Sequence, residues 1–382
     1  MDGSPFNADG GSNLDAELQG IAIRASRVLF LWLDRLLLTC FLLAAAAPYL
    51  DPRYYWYGAA MAVALPLLAG MMLPCALLLW RLRRPTLALV HLLLVIALVP
   101  RHFSLERFDR PQAKPSDLVL MSLNAPRRPE SDVLAEKLAQ LVRDVQPDMI
   151  GLQEALIFAY KTNPERLRAQ QKFKPLIESL NYSMHPPRLG PLGENYNSWH
   201  QPMLARFEID RQDQLSFHED GENSQSLHVL RSEFSWQGRK IAHYNVHLTT
   251  HGRNKPWNGV GRDLGAWLTR IGEVRRAYRK RAWQVEQIVA LIDKEVHPVI
   301  LSGDFNSTPD SWVYRRLSAG LQDAYRVAGD GWGATYRSSF PILRIDWVLL
   351  DPEFEVVSAV VHPLDASVSD HRPLVVRLRW RE

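Results

Sequence analysis

The sequence predicts a short bundle of transmembrane helices followed by an α/β domain. Charges are almost absent from residues 28–100, which hold only Asp34, Arg35, Asp51, Arg53, Arg81, Arg83 and Arg84. From Arg101 onward the chain is charged, rich in Trp and punctuated by turns. Within that second part, short apolar strands alternate with helical patterns, as in mixed α/β folds. The first observation argues against a single water-soluble globule. The second argues against a polytopic transporter, whose apolar segments would continue to the C-terminus.

The first residues are polar and acidic and lack the basic start of a secretory signal, so residues 1–27 read as a disordered cytoplasmic tail. A hydrocarbon core of about 30 Å needs roughly 20 helical residues. The stretch 57–80 meets this without a charge and runs into Arg81, Arg83 and Arg84. The stretch 28–49 is nearly as long but carries Asp34 and Arg35. These two either neutralise each other at the headgroups or lie outside a span that begins near Leu36. The third stretch, 86–100, reaches span length if Arg84 and Arg101 snorkel from its ends, with a re-entrant helix as the alternative. About three helices are expected, or two. Arg24, Arg27, Arg81, Arg83 and Arg84 would share the N-terminal side, against Arg53 alone in the loop opposite. Basic residues in short flanks stay cytoplasmic, which predicts a multi-pass cell-membrane protein with its C-terminal domain outside the cytoplasm.

Residues 101–116, with Pro111 and Pro115, read as a linker, and residues 117–382 as the second domain. Strands are expected near 118–123, 149–152, 240–248, 298–301, 345–350, 356–361 and 374–378, with helices near 132–145 and 273–294. The stretches 182–200 and 251–266 read as loops. The second of these, with Trp257 and with Trp267 at its end, is a candidate for contact with a bilayer interface. Arg275, Arg276, Arg279, Lys280 and Arg281 form either a solvated helix face or a surface for anionic headgroups or nucleic acid.

The net charge of +4 is a mild bias, and most of the 45 basic residues are Arg. Arg suits bidentate phosphate contacts, although a compositional bias would give the same count. Both cysteines, Cys40 and Cys75, lie in apolar runs. The polar part therefore has no disulfide framework, thiolate metal site or Cys nucleophile.

Its chemistry must come from polar residues at the ends of apolar strands, where α/β sheets present functional groups. Ser122-Leu123-Asn124 ends one strand, and Leu152-Gln153-Glu154 another. Asn245-Val246-His247-Leu248 and Gly303-Asp304-Phe305-Asn306 follow, then Arg344-Ile345-Asp346 and Ser369-Asp370-His371. Asn, Glu and Asp offer hard oxygen ligands of the kind Mg2+, Mn2+ or Ca2+ prefer. Each motif alone has a plainer reading, such as an Asx turn at Asp304 or a core histidine at His247. Their number and order make the functional reading the stronger one. His243, His251 and His362 are expected to be structural or surface residues.

These six motifs, in this order across about 117–380, resemble the endonuclease/exonuclease/phosphatase superfamily. The resemblance implies a four-layer α/β sandwich of the DNase I type, with two packed β-sheets flanked by helices. It implies a divalent metal, Mg2+ (or Mn2+ or Ca2+), held by Glu154 with Asn124 beside it and Asp370 nearby. It further implies that Asp304 orients or deprotonates the attacking water and that Asn306 contacts the transferring phosphoryl oxygen. His371 would bind phosphate or act as base, Asp346 would orient its imidazole, and His247 would serve as general acid or phosphate donor. In the family's pattern Arg281 and Gln284 have a packing role.

The superfamily does not determine a substrate. The anchor favours a membrane-anchored, metal-dependent phosphoric ester hydrolase acting on a lipid-linked phosphodiester, pyrophosphate or phosphate. Sphingomyelinase-like cleavage fits. So does an isoprenoid-linked cell-wall intermediate, since short N-terminal helices plus this domain are similar to bacterial membrane proteins of the teicoplanin-resistance type. The bilayer and a phosphate-containing substrate are the expected partners. An extracytoplasmic nuclease is the alternative, with nucleic acid the less favoured partner. A membrane-tethered binding domain on an inactive hydrolase fold is the non-enzymatic alternative, against which the complete acid and His set argues.

Overall fold

The computed structural model describes residues 9–104, 111–125, 132–155, 180–184, 188–189, 201–218, 226–250 and 264–382. Most of the 251–266 loop, and much of 182–200, lie outside the described residues.

Helix α1 runs Asp9–Ala46 and continues into a short 3-10 turn, Ala47–Tyr49. Residues 9–27 are therefore helical and not the disordered tail the sequence suggested. Leu18 and Ile21, three residues apart and both exposed, carry apolar surface at helical spacing below residue 28. The segment Glu17–Tyr49 and the helix Pro85–His102, α4, are each long and apolar enough to cross a membrane.

The expected uninterrupted helix over 57–80 is broken. It forms α2 (Trp56–Ala62) and α3 (Leu65–Arg81), bent by 67°. Pro66 explains the break: it offers no N–H, and its ring clashes with the carbonyl of Ala62, so α2 ends there. If the bent pair is one span, the helices able to cross number three among the described residues. Asp34 does not pair with Arg35. It lies buried 3.0 Å from His91 Nε2 on α4, and His91 Nδ1 bonds the carbonyl of Leu87 at 2.8 Å. A buried ionisable group in an apolar bundle needs such a partner, because an unpaired charge there is costly.

The polar part folds as two sheets with helices outside both. One sheet contains β1 (Leu118–Asn124), β2 (Met149–Gln153), β3 (Ser183–Met184), β5 (Met203–Ala205), β12 (Phe354–Val361) and β13 (Leu374–Trp380). Its strand order is β12-β13-β1-β2-β5-β3. The other contains β4 (Arg188–Leu189), β6 (Arg211–His218), β7 (Ser226–Trp236), β8 (Arg239–His247), β9 (Val299–Asp304), β10 (Gln322–Asp323) and β11 (Asp346–Leu350). Its order is β10-β11-β9-β8-β7-β6-β4.

The two-residue period of the strands builds the layers. Leu118 and Leu120 of β1 join Phe234, Ile300 and Val348 in the core between the sheets. Val119, Met121 and Leu123 face outward onto Leu138, Ala139 and Val142 of α5 (Asp132–Val145). On the other side, Val246 and Leu301 pack beneath Val285, Ile288 and Val289 of α6 (Leu264–Ile292). This is the α/β/β/α sandwich expected. The β6–β7 hairpin escapes the sequence reading because β6 is mostly half-buried and shows no clean apolar face.

The expected 101–116 linker is also corrected. Arg101 and His102 belong to α4, and Ser104 bridges Gly331 in the sandwich. The helices are thus joined tightly to the domain. His102 lies 2.7 Å from the carboxylate of Asp310, which is fully buried, with Arg101 at 3.8 Å. His102 also stacks on Trp332 at 5.1 Å. On the other flank, Ala59 and Ala62 of α2 pack on Val274 and Tyr278 of α6.

Candidate active site

The site forms where strand ends of the two sheets converge. β8 and β9 run parallel with His247 opposite Asp304, and β11 pairs antiparallel so that Asp346 also lies opposite Asp304. Asn124 ends β1 in the facing sheet, beside Gln153 of parallel β2, and Glu154 follows at once. His371 arrives on the segment entering β13, the antiparallel partner of β1.

Two local features aim the β9 side chains. Gly303 has φ +145°, and a Cβ there would sit 1.9 Å from the carbonyl oxygen of Val246, so only glycine permits this approach of β9 to β8. Phe305 turns inward and stacks on Trp347 at 4.5 Å, with Tyr314 edge-on to the same indole. Asp304 and Asn306, on either side of Phe305, are thereby held at the rim. Glu154 and Asn306 have positive φ values of 55° and 47°, a conformation that is uncommon outside glycine and concentrates at functional sites.

Asp304 is the hub. Its Oδ1 accepts from the Asn306 amide at 2.8 Å, and its Oδ2 accepts from Asn124 Nδ2 at 2.9 Å. Oδ2 also lies 3.6 Å from His247 Nε2 and 3.8 Å from His371 Nε2. Asn124 Nδ2 additionally reaches Glu154 Oε1 at 3.3 Å, and His247 Nε2 is 3.7 Å from the same oxygen. His371 Nδ1 donates to Asp346 Oδ2 at 2.9 Å. Burial alone would push His371 down, but the Asp346 and Asp304 carboxylates beside it prevail and raise it to about 10. The imidazolium is therefore the resting form at neutral pH.

Asn124, Glu154, His247, Asp304, Asn306, Asp346 and His371 are tied together by these contacts. Asp370 lies beside His371, and its charge helps hold that imidazolium. Its backbone carbonyl accepts from the Ser338 amide at 2.8 Å. Asp304, Asp346 and His371 present ligand atoms within 4.8 Å of one another, a grouping able to hold a metal ion. The Asp346–His371 hydrogen bond already commits two of those three groups to each other. Asn124 and Glu154 fit a hard cation better. Asn124 Oδ1 is buried with no hydrogen-bond partner among the described residues, and the carboxylate of Glu154 is partly exposed beside it.

A supporting layer of polar side chains was not singled out by sequence. Gln153 Nε2 donates to Asn245 Oδ1 at 2.7 Å, and Asn245 Nδ2 donates to the Leu152 carbonyl at 2.9 Å, stitching the sheets together below the site. His243 bonds Ser302 at 2.8 Å within the same fully buried layer, and burial lowers it to about 3. Ser369 donates to the Asn124 carbonyl at 2.6 Å and accepts from the His371 amide at 3.0 Å, which joins two motifs distant in sequence. Gln153, Asn245 and Ser369 stood inside the quoted motifs. Arg281 and Gln284 have the packing role expected of them: Arg281 donates to the Asn306 carbonyl, and Gln284 accepts from the Thr249 amide at 3.0 Å.

Solved structures similar to the chain include an endonuclease/exonuclease/phosphatase from Bacteroides vulgatus, at TM-score 0.48 and 18% identity, covering 69% of this chain and 99% of that one. The mannosyl-6-phosphatase of Bacteroides thetaiotaomicron is similar at TM-score 0.47 and 18% identity, covering 69% and 100% respectively. The human Nocturnin catalytic domain with bound sulfate is similar at TM-score 0.46 and 18% identity, covering 72% and 97%. No curated protein sequence matches the chain. The Endonuclease/Exonuclease/phosphatase family matches residues 121–371, a range that begins beside Asn124 and closes on His371. With every motif of the site inside that match, the chain belongs to the Endonuclease/Exonuclease/phosphatase family.

Proposed function

We propose that this chain is a membrane-anchored, divalent-metal-dependent phosphoric ester hydrolase whose substrate is a lipid-linked phosphodiester, pyrophosphate or phosphate. The observation that carries the reading is the position of the site against the helical bundle. The loop after β9 is braced at one end by the apolar segment directly and at the other through α6, which itself contacts α2. Asp310 is held by His102 and Arg101 of α4, and the Asn306 carbonyl by Arg281, whose guanidinium lies 4.4 Å over the ring of Tyr278. The Tyr278 hydroxyl in turn donates to the Ala59 carbonyl of α2 at 3.1 Å. A reactive rim joined to the bundle in this way suits a headgroup delivered from the bilayer.

Glu154 and Asn124 would hold the metal, which when bound neutralises charge on phosphoryl oxygens. Asp304 accepts and orients a proton of the attacking water, positioned by Asn124 and the Asn306 amide. His371, held as imidazolium by Asp346, offers Nε2–H to the phosphoryl group, and Asn306, whose Nδ2 donates to the Leu248 carbonyl at 2.9 Å, would contact the same group. His247 Nε2, buried and without a hydrogen-bond partner among the described residues, serves as proton donor toward the leaving oxygen.

Chain direction supports an orientation. α1 ends at the domain side, α2–α3 lead away from it and α4 returns to it. Arg81, Arg83 and Arg84 thus lie at the end far from the domain, with Arg24 and Arg27, which supports a cytoplasmic location for that end and an extracytoplasmic domain. The test is hydrolysis by the full chain in lipid nanodiscs with Mg2+, Mn2+ or Ca2+, offered phospholipid, isoprenyl pyrophosphate and DNA. Release of phosphate or headgroup from a lipid, abolished by His371→Ala, is the expected result. Cleavage of DNA with no turnover of either lipid would overturn the substrate reading. Equal activity in His371→Ala would overturn the site.

A further inference from the structure

The N-terminal half of α6 points at a second membrane contact, outside the spanning helices. Val274 and Tyr278 face α2, and both lie on one stripe of α6. Helical spacing places Trp267 and Ile271 on that same stripe, with Leu268 at its margin. All three are exposed, at 47%, 45% and 60%. The apolar face that meets α2 therefore runs on uncovered from Val274 back to Trp267, about 10 Å at 1.5 Å per residue. It faces the side on which the bundle lies.

The flanks of the stripe are basic. Arg275 and Arg279, both exposed, border it on one side, and Arg270 borders it on the other. Glu273, Arg276 and Lys280 take the opposite face. A narrow apolar stripe with Trp at its tip and Arg along its edges is the pattern of a helix lying in the headgroup region. α2 supports this level: it is bent 67° from α3 and follows Tyr54 and Tyr55, with Tyr57 exposed, the aromatic composition of a membrane interface.

We propose that residues 264–275 of α6 lie in the outer headgroup layer of an anionic bilayer. Trp267, Leu268 and Ile271 sink into the acyl boundary, and Arg275 and Arg279 engage lipid phosphates. This rests on the reading that α1–α4 span a membrane. α6 also carries Arg281, which holds the Asn306 carbonyl, so the same helix that meets the lipid surface braces the catalytic rim.

Site-directed spin labelling of the full chain tests it. In a Cys40→Ala, Cys75→Ala background, single cysteines replace Leu268, Ile271, Arg276 or Leu77 of α3. The labelled proteins are reconstituted into phosphatidylcholine vesicles with or without phosphatidylglycerol. Relaxation by oxygen reports lipid, and relaxation by a water-soluble nickel chelate reports water. The expected result is lipid-type relaxation at 77, 268 and 271 and water-type at 276, with removal of phosphatidylglycerol raising nickel access at 268. Water-type relaxation at 268 and 271 while 77 stays in lipid overturns this inference and leaves the spanning helices intact. Water-type relaxation at 77 overturns the membrane reading itself. Dipolar broadening between labels at 268 would assign the stripe to a second copy of the chain and also overturn it.

Discussion

At residue scale the site depends on one buried proton. His371 is flanked by Asp346 and Asp304, and their carboxylates outweigh the burial that would otherwise lower it. Its imidazolium should persist until pH rises through about 10. Asp346→Asn removes the nearer carboxylate, so His371 should lose its proton closer to the usual value of about 6.5. The alkaline limb of the pH–rate profile should move toward neutrality, with kcat at pH 8 falling roughly 10²–10⁴-fold. An unmoved limb would detach Asp346 from that role. His243 has the opposite sign. Burial lowers it to about 3, so the unfolded chain takes up this proton first as pH falls. Stability owed to neutral His243 is complete above about pH 6.5 and declines down to about pH 3. Thermal melts across that window should show the decline, and His243→Gln should flatten it. The quoted motifs named every residue of the central cluster. They could not single out Asp310 or His102, because each acts through a partner more than two hundred positions away in the chain.

At element scale, the close approach of β8 and β9 sets the spacing of His247 and Asp304. Gly303→Ala places a methyl 1.9 Å from a backbone oxygen, and backbone cannot step aside as a side chain can. The substitution should cost more than about 3 kcal/mol, measured as a lost or strongly lowered melting transition. The N-terminal apolar helices contain their own polar lock. Asp34 and His91 are both buried 3.0 Å apart, so removing one strands the other. Asp34→Leu or His91→Leu alone should destabilise the detergent-solubilised chain by about 3–5 kcal/mol. The double variant should recover most of it, and additive losses would show the pair is not coupled. Most strands were legible from alternating apolar residues, and α5 from its amphipathic period. The break between α2 and α3 lay in plain view at Pro66, but hydropathy averages across it. The β6–β7 hairpin was not legible, because its pairing is set by register against β8 and not by a buried face of its own.

At the scale of the whole molecule, the bundle and the sandwich are mechanically one object. Asp310 is a fully buried carboxylate whose ion-pair partners, His102 and Arg101, both belong to α4. Excising residues 112–382 should leave that charge uncompensated, at a cost of several kcal/mol, and loosen the loop that carries Asn306. The excised domain should therefore melt lower than the full chain and hydrolyse soluble bis(p-nitrophenyl) phosphate more slowly. Asp310→Asn in the excised domain should restore part of the lost stability, since an amide is cheaper to bury than an ion. Equal melting of both forms would mean that the bundle only tethers. By itself the sequence determined the division between apolar segment and polar domain, the α/β class, the order of the strands that end in functional groups, and the identity of those groups. These are local properties: hydropathy, alternation and residue type are written position by position. Tertiary structure alone decided that α1 is helical from Asp9, that Asp34 meets His91, and that the loop after β9 is held at Asp310 by α4. Each of those depends on which surfaces meet, and that is settled only when the whole chain has packed.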